Sequence, residues 1–394
     1  MVIKLAHRLE PLQANVFADM DRAKAAAQAA GQDVIDLSLG SSDLPTAPAV
    51  LAAIAQALPD PSTHGYALFQ STLPLRQAAA AWYERKYGLA VDPETEVLPL
   101  IGSQEGTAHL PLAVLNPGDI ALLLDPGYPS HAGGVYLAGG EVYTLPLRAE
   151  HQFLPVFSEI PAAVAARARL LVLSYPHNPT TAIAPLSFFA EAVAFCRAHQ
   201  LVLVHDFPYA DFVFPGAPPA PSIFQVDRER ELGIEIYSFS KSYNMGGFRI
   251  GYAIGNADLI RGLRQVKAVV DFNQYRGIMR GAIAALEGDQ AIVSETVRIF
   301  QTRRDAFVQA MAAIGWPVPV PAATMYIWAK LPTVWPGSSL EFCTQLVAAT
   351  GVAVSPGAGF GPQGEGYVRF ALVQEPAVLE QAVCRIEQFL ASQA

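Results

Sequence analysis

A lysine flanked by small hydroxyl residues stands at position 241, inside the stretch Ile234–Gly255, IEIYSFSKSYNMGGFRIGYAIG. It lies between two apolar, strand-like runs, with Ser238 just before it and Arg249 shortly after. Burial and neighbouring cations lower an ammonium pKa, and the free amine can then form a Schiff base with a carbonyl. Ser238 and Arg249 are the residue types that would hold an anionic group beside that amine. A solvated loop lysine is the plainer account of Lys241 taken alone, so other parts of the chain have to decide.

Four more apolar runs end in residues with chemistry. After 97–101 comes Gly102-Ser103-Gln104-Glu105-Gly106, a glycine turn opening a helix, whose free N–H groups and dipole suit a phosphate. It matches neither the dinucleotide fingerprint nor the P-loop. After 120–124 comes Asp125-Pro126-Gly127-Tyr128-Pro129, where Tyr128 could stack on a planar ligand or equally pack on the next helix. After 170–173, Asn178 sits between prolines in Tyr175-Pro176-His177-Asn178-Pro179-Thr180; an Asx turn is the alternative. After 201–204 comes His205-Asp206-Phe207-Pro208-Tyr209. A carboxylate such as Asp206 in an apolar setting is costly unless it meets a cation, and Tyr209 is within reach of the same place. No His/Asp/Glu spacing supports a metal, so His205 reads as a packed, hydrogen-bonded core residue. One ligand would need a phosphate, a flat ring, a ring cation for Asp206, a phenolic oxygen for Asn178 and Tyr209, and an aldehyde for Lys241. Pyridoxal 5′-phosphate has all five.

The elements that must position these residues follow from the pattern. With 394 residues, two domains are the expectation. Apolar runs at 97–101, 120–124, 142–145, 170–173, 201–204, 234–239 and 250–254 alternate with helical segments at 104–115, 129–138 and 185–199. That alternation predicts an α/β large domain with a mostly parallel seven-stranded sheet flanked by helices, and ligands bind at the carboxyl ends of such strands. Helices at 257–270, 276–287 and 290–314, strands at 325–331, 352–355 and 367–372, and helices at 340–350 and 377–392 predict a smaller α+β domain. The N-terminal strand at 35–39 is expected to join it, after a helix at 15–30. The boundaries expected are 1–46 for an arm and part of the small domain, 47–274 for the large domain and 275–394 for the rest of the small one. The net charge of −9 argues against nucleic acid or an anionic membrane as main partner. Three widely spaced cysteines indicate neither a disulfide framework nor a zinc site. No apolar run reaches spanning length and the N-terminus lacks a signal-peptide core, so a cytoplasmic protein is expected.

The motifs GSQEG, DPGYP, YPHNPT, HDFPYAD, SFSKSYNMGGFRIG and YVRFAL, in this order, resemble those of the class I/II aminotransferases of the fold type I pyridoxal-phosphate superfamily, nearest the LL-diaminopimelate and aspartate aminotransferase-like branch. The resemblance runs from Leu37 to Ala371. It implies that Lys241 holds the cofactor as a Schiff base and moves the α-proton, and that Asp206 pairs with the pyridinium nitrogen. Tyr209 and Asn178 would hydrogen-bond the ring oxygen, and Tyr128 would stack on the ring. Ser103, Gln104, Ser238 and Arg249 would bind phosphate, joined by Tyr66 from the other subunit of a homodimer. Arg369 would clamp the substrate α-carboxylate, with Gly40 and Asn178 adding contacts. The implied reaction moves the amino group of an L-amino acid to a 2-oxo acid in a ping-pong cycle; a β-lyase on the same fold is the alternative. Departures occur at Ser41-Ser42-Asp43, Phe248 and the second Thr of Asn178-Pro179-Thr180-Thr181, and none removes a catalytic residue. Arg276 and Arg280 lie in the general region where a second cation for dicarboxylates would be needed, but each reads rather as a helix surface residue.

Overall fold

The structure is a computed structural model that describes residues 3–12 and 16–393. Its strands are β1 (Ile35–Asp36), β2 (Val97–Leu100), β3 (Ile120–Asp125), β4 (Glu141–Pro146), β5 (Ala168–Leu173), β6 (Val202–Asp206), β7 (Gly233–Ser238), β8 (Gly251–Gly255), β9 (Tyr326–Lys330), β10 (Val352–Ala353), β11 (Ser355–Pro356) and β12 (Tyr367–Ala371). Seven of them form one sheet in the order β2-β8-β7-β6-β5-β3-β4. Only β8 runs against its neighbours; the other pairings are parallel. Each of the seven expected apolar runs forms one of these strands.

The sheet is buried on both faces, which is why its strands read as nearly continuous apolar runs. Alternate side chains enter different cores. Leu122, Leu124, Leu171, Leu173 and Leu203 join one, while Ala121, Leu123, Leu170, Val172 and Val204 join the other. Helix Leu73–Tyr87 covers the first face with Leu75, Ala79, Trp82 and Tyr83. Helices Ser103–Val114 and Ala257–Val270 cover the second with Leu110, Ile260 and Leu263. Helix Arg276–Glu287 packs Met279, Ala282, Ala285 and Leu286 into the first core. We therefore propose that the large domain ends after Glu287 rather than at the expected 274.

A separate core gathers Ile35 and Leu37, helix Ala291–Ala313, β9, β10, β12 and the last helix, Pro376–Ala391. β9, β12 and β11 form an antiparallel sheet. β1 pairs in parallel with β10, Ile35 opposite Val352, which sets Ile35 and Leu37 against this core. The single strand expected at 352–355 is instead two: Val352–Ala353 pairs with β1 and Ser355–Pro356 with β12. The chain switches partners at Val354. The first long helix spans Val16–Ala29, and its expected start at Asn15 lies outside the described residues. No helix among the described residues is long and apolar enough to cross a membrane.

Candidate active site

The residues singled out by sequence lie where five strands deliver the chain to one edge of the large sheet. β2, β3, β5, β6 and β7 all end there, and antiparallel β8 begins there. Lys241 is not a residue of an open loop. It sits on a single helical turn, Phe239–Ser242, whose N-cap is Ser238: the Ser238 hydroxyl accepts from Ser240 N at 3.1 Å. A strand end followed by a serine cap starts that turn. The Lys241 ammonium donates to Gly40 O and stands 5.8 Å from the Tyr209 ring centre.

Arg249 folds back toward the strand ends after the glycine pair Gly246-Gly247. Neither glycine has positive φ; the left-handed residues are Asn244 at φ 55° and Arg249 itself at φ 51°. Arg249 Nη1 donates to Gly246 O at 3.1 Å. Its guanidinium lies against Gly102, where a Cβ would stand 2.5 Å from Nη2. Gly102, at φ 74°, is the N-cap of helix Ser103–Val114. Ser103, Gln104, the helix N-terminus and Arg249 thus form one cationic corner, with Ser238 at the neighbouring strand end.

Asp206 ends β6 and is buried. His131 Nε2 donates to its Oδ2 at 2.9 Å, while Oδ1 is buried with no hydrogen-bond partner among the described residues. A buried carboxylate oxygen without a donor is costly. A cationic ring N–H is the type of group that would satisfy it. Tyr128 sits at the N-cap of helix Pro129–Leu137 and meets His131 edge-on at 5.6 Å. Burial raises its phenol pKa.

Arg369 on β12 reaches across from the small unit. Its Nη1 donates to Asn178 Oδ1 at 2.8 Å, and its Nη2 donates to Ser38 O at 2.7 Å and to Ser355 Oγ at 3.2 Å. Three distant stretches therefore fix one guanidinium. Its Cζ stands 4.3 Å from the Tyr326 ring centre and 4.7 Å from that of Phe360. Tyr209 Oη is 2.8 Å from Tyr326 Oη. Burial pushes the Tyr209 phenol well above its ordinary pKa. Tyr326 is equally buried, but Lys241 and then Arg369 outweigh that and hold its phenol below the ordinary value. Gly40 has no room for a side chain, since a Cβ would overlap Tyr326 Oη.

The structure thus brings together Gly40, Ser103, Tyr128, Asn178, Asp206, Tyr209, Ser238, Lys241, Arg249 and Arg369. Tyr66 stands apart, 88 % exposed. Sequence reasoning missed His131, three residues past Tyr128 on the first turn of its helix, and Tyr326, hidden in an apolar strand. It also missed the buried ion pair beneath the phosphate-type corner. Lys267 Nζ donates to Glu105 Oε1 and Oε2 at 2.8 and 2.9 Å, and Glu105 also accepts from Ile101 N. His109 and Asp271 flank that pair. His205 is the packed core histidine expected: its Nδ1 donates to Glu235 Oε1 at 2.9 Å, and its Nε2 lies 2.9 Å from Tyr175 O.

Comparison with known proteins shows the family. Residues 32–386 match the family aminotransferase class I and II, and the chain belongs to that family. An LL-diaminopimelate aminotransferase of Dehalococcoides mccartyi is 43% identical over 98% of this chain and 99% of its own. The substrate-bound structure of BacF from Bacillus subtilis superposes with a TM-score of 0.94 at 35% identity, covering 98% of each chain. Aspartate aminotransferase from Thermus thermophilus with maleate does so with a TM-score of 0.90 at 25% identity, covering 98% of this chain and 100% of its own. The fold is that of the fold type I aminotransferases, and the protein is a transaminase acting on small molecules. Family and fold imply dependence on pyridoxal phosphate. The curated relatives are named as aminotransferases, and the lyase alternative is set aside.

Proposed function

We propose that this chain binds pyridoxal 5′-phosphate at the strand-end site and transfers the amino group of an L-amino acid to a 2-oxo acid, with LL-diaminopimelate as the leading donor. The observation that carries the cofactor assignment is the buried, unsatisfied Asp206 Oδ1 beside a lysine and a phosphate-type corner. Bound there, the group supplies an aldehyde that captures amines and a ring that accepts electrons. The rest is the work of side chains. Asp206, held by His131, keeps the ring nitrogen protonated. Tyr209 donates to the ring oxygen, joined by the Asn178 amide group, whose Oδ1 is already engaged by Arg369. Tyr128 would cover one face of the ring. The helix N-terminus, Ser103, Gln104, Ser238 and Arg249 hold the phosphate. Arg369 pairs with the substrate carboxylate in two-pronged fashion. Lys241 Nζ would hold the cofactor through its aldehyde and would move the substrate α-proton as general acid and base.

The same reading includes a homodimer in which Tyr66 completes the partner's phosphate site. Tyr66, Leu68, Val269 and Val270 are all exposed apolar side chains. An edge contact of Tyr66 with Phe272 and a bond from Asn273 Nδ2 to Ala67 O draw their two segments together. Such a patch favours a partner surface. Arg276 is the better candidate for binding a distal carboxylate across the dimer, because Arg280 is already paired with Asp60 at 2.7 Å. The free state of all three cysteines suits the cytoplasm. The test is a donor screen of LL-diaminopimelate, aspartate and alanine against 2-oxoglutarate and pyruvate, with light scattering to weigh the assembly. Protein that stays colourless with added pyridoxal phosphate ends the cofactor assignment. Turnover with aspartate alone ends the donor assignment, and a monomer at working concentration ends the dimer.

A further inference from the structure

Tyr326 is the first residue of β9 and is 1% exposed. Its side chain meets three functional groups that come from separate parts of the chain. Its hydroxyl is 2.8 Å from Tyr209 Oη, and its ring face carries the Arg369 guanidinium at 4.3 Å. The same hydroxyl lies over Gly40, whose carbonyl receives the Lys241 ammonium. Tyr326 is itself held from the backbone side: its N–H donates to Thr324 Oγ1 at 3.3 Å, and Thr324 N donates to Phe212 O at 2.8 Å.

We propose that Tyr326 is a positioning residue for transamination, its hydroxyl donating to Tyr209 and its ring seating Arg369 for the substrate carboxylate. The inference rests on the pyridoxal-phosphate reading above. A phenol has one proton. If Tyr209 gives its proton to the ring oxygen of the cofactor, the proton in the 2.8 Å contact belongs to Tyr326. Receiving that bond polarises Tyr209 and makes it a stronger donor. The ring acts separately. A guanidinium on an aromatic face is held in plane and orientation, and Arg369 must present two N–H groups side by side to a carboxylate. The charged and titratable groups facing the phenol are Lys241 on its helical turn, Arg369 on β12, Tyr209 after β6 and Tyr128 after β3. The Arg369 guanidinium on the ring face favours a polarised Tyr326 hydroxyl, the direction a proton donor needs.

The two roles separate in a pair of variants of the reconstituted full-length enzyme. Tyr326→Phe keeps the ring and removes the hydroxyl. The anionic ring oxygen is then less well stabilised, and the pH midpoint of the bound cofactor's visible absorbance rises by about 0.5 unit, with KM for the donor within about twofold of wild type. Tyr326→Leu removes both, and KM rises about tenfold while Tyr326→Phe does not show that loss. A wild-type midpoint in Tyr326→Phe, or a wild-type KM in Tyr326→Leu, overturns the proposal. Should Tyr326→Leu fail to fold, the midpoint in Tyr326→Phe decides alone. A wild-type protein that takes up no pyridoxal phosphate refutes the underlying reading instead, a result visible before any variant is made.

Discussion

His177 offers a prediction whose size can be worked from the structure. The imidazole is fully enclosed beside Asn178, and Thr180 donates to its Nδ1 from Oγ1 at 2.7 Å and from N at 3.4 Å. The neutral ring therefore carries its proton on Nε2, and protonating Nδ1 would place two donors against a third. Burial, with His131 nearby, pushes the pKa down to about 3 from an ordinary 6.5. The sign follows by linkage. Below 6.5 the unfolded chain takes up a proton that the folded one refuses, so stability is full above that value and drains as pH falls toward 3. Between pH 7 and pH 5 the loss attributable to this one group is about 2 kcal/mol. The perturbation is His177→Gln, and the assay is urea unfolding of both proteins at pH 7, 6 and 5. The packing cost of the substitution is the same at each pH and cancels in the difference. The variant should lose about 2 kcal/mol less than wild type across that interval. Equal losses in the two proteins would refute the reasoning, because the ring would then be titrating alike in the folded and unfolded chain.

Four further outcomes are expected. Asp206→Asn keeps the shape but gives up the charge that would pair with a ring cation, so affinity for pyridoxal phosphate should fall about tenfold or more in an absorbance titration; unchanged affinity would separate Asp206 from the cofactor. Gly102→Ala places a methyl 2.5 Å from Arg249 Nη2 at a backbone φ of 74° and should weaken pyridoxal phosphate while sparing pyridoxal, which lacks the phosphate; equal losses would remove the anion role of that corner. Arg369→Ala should mainly raise KM for amino acids, about tenfold or more by steady-state kinetics, and a wild-type KM would take Arg369 out of the site. Lys267→Met strands Glu105 without its ion partner and should cost about 3–5 kcal/mol in chemical denaturation. The double variant with Glu105→Gln should recover most of it; no recovery would mean that the pair is not the cause.

The large sheet was legible because its strands are covered on both sides and so announce themselves as apolar runs, each ending in a short polar motif. Position at a strand end was enough to single out Asp206, Asn178 and Lys241 as candidates. Contacts formed at long range were not legible. Tyr326 is one more aromatic in an apolar strand, and only the approach of Gly40 and Arg369 gives it meaning. His131 became visible once the end of β6 was brought beside the helix after β3. The ion pair of Glu105 with Lys267 joins residues on two helices that share no local pattern. The helix at Arg276–Glu287 was readable as a helix, but its allegiance was not, because amphipathic spacing says that a face is buried and not against which core.

The pairing of Ile35 with Val352 has a consequence for the order in which the protein is made. The proposed cofactor corner is drawn from one continuous length, β2 to β8, and can assemble as soon as that length is available. The proposed substrate clamp cannot: Arg369 needs Ser38 from near the start of the chain, and the strand that brings Ser38 there pairs with a segment near the end. Closing so long a loop costs entropy before any contact repays it. Recognition of the amino acid is therefore expected to be the last property the newborn chain acquires, after the cofactor pocket. Pulse-labelled hydrogen exchange during refolding would show β1 and β10 protected after β5 and β6; simultaneous protection would contradict that order.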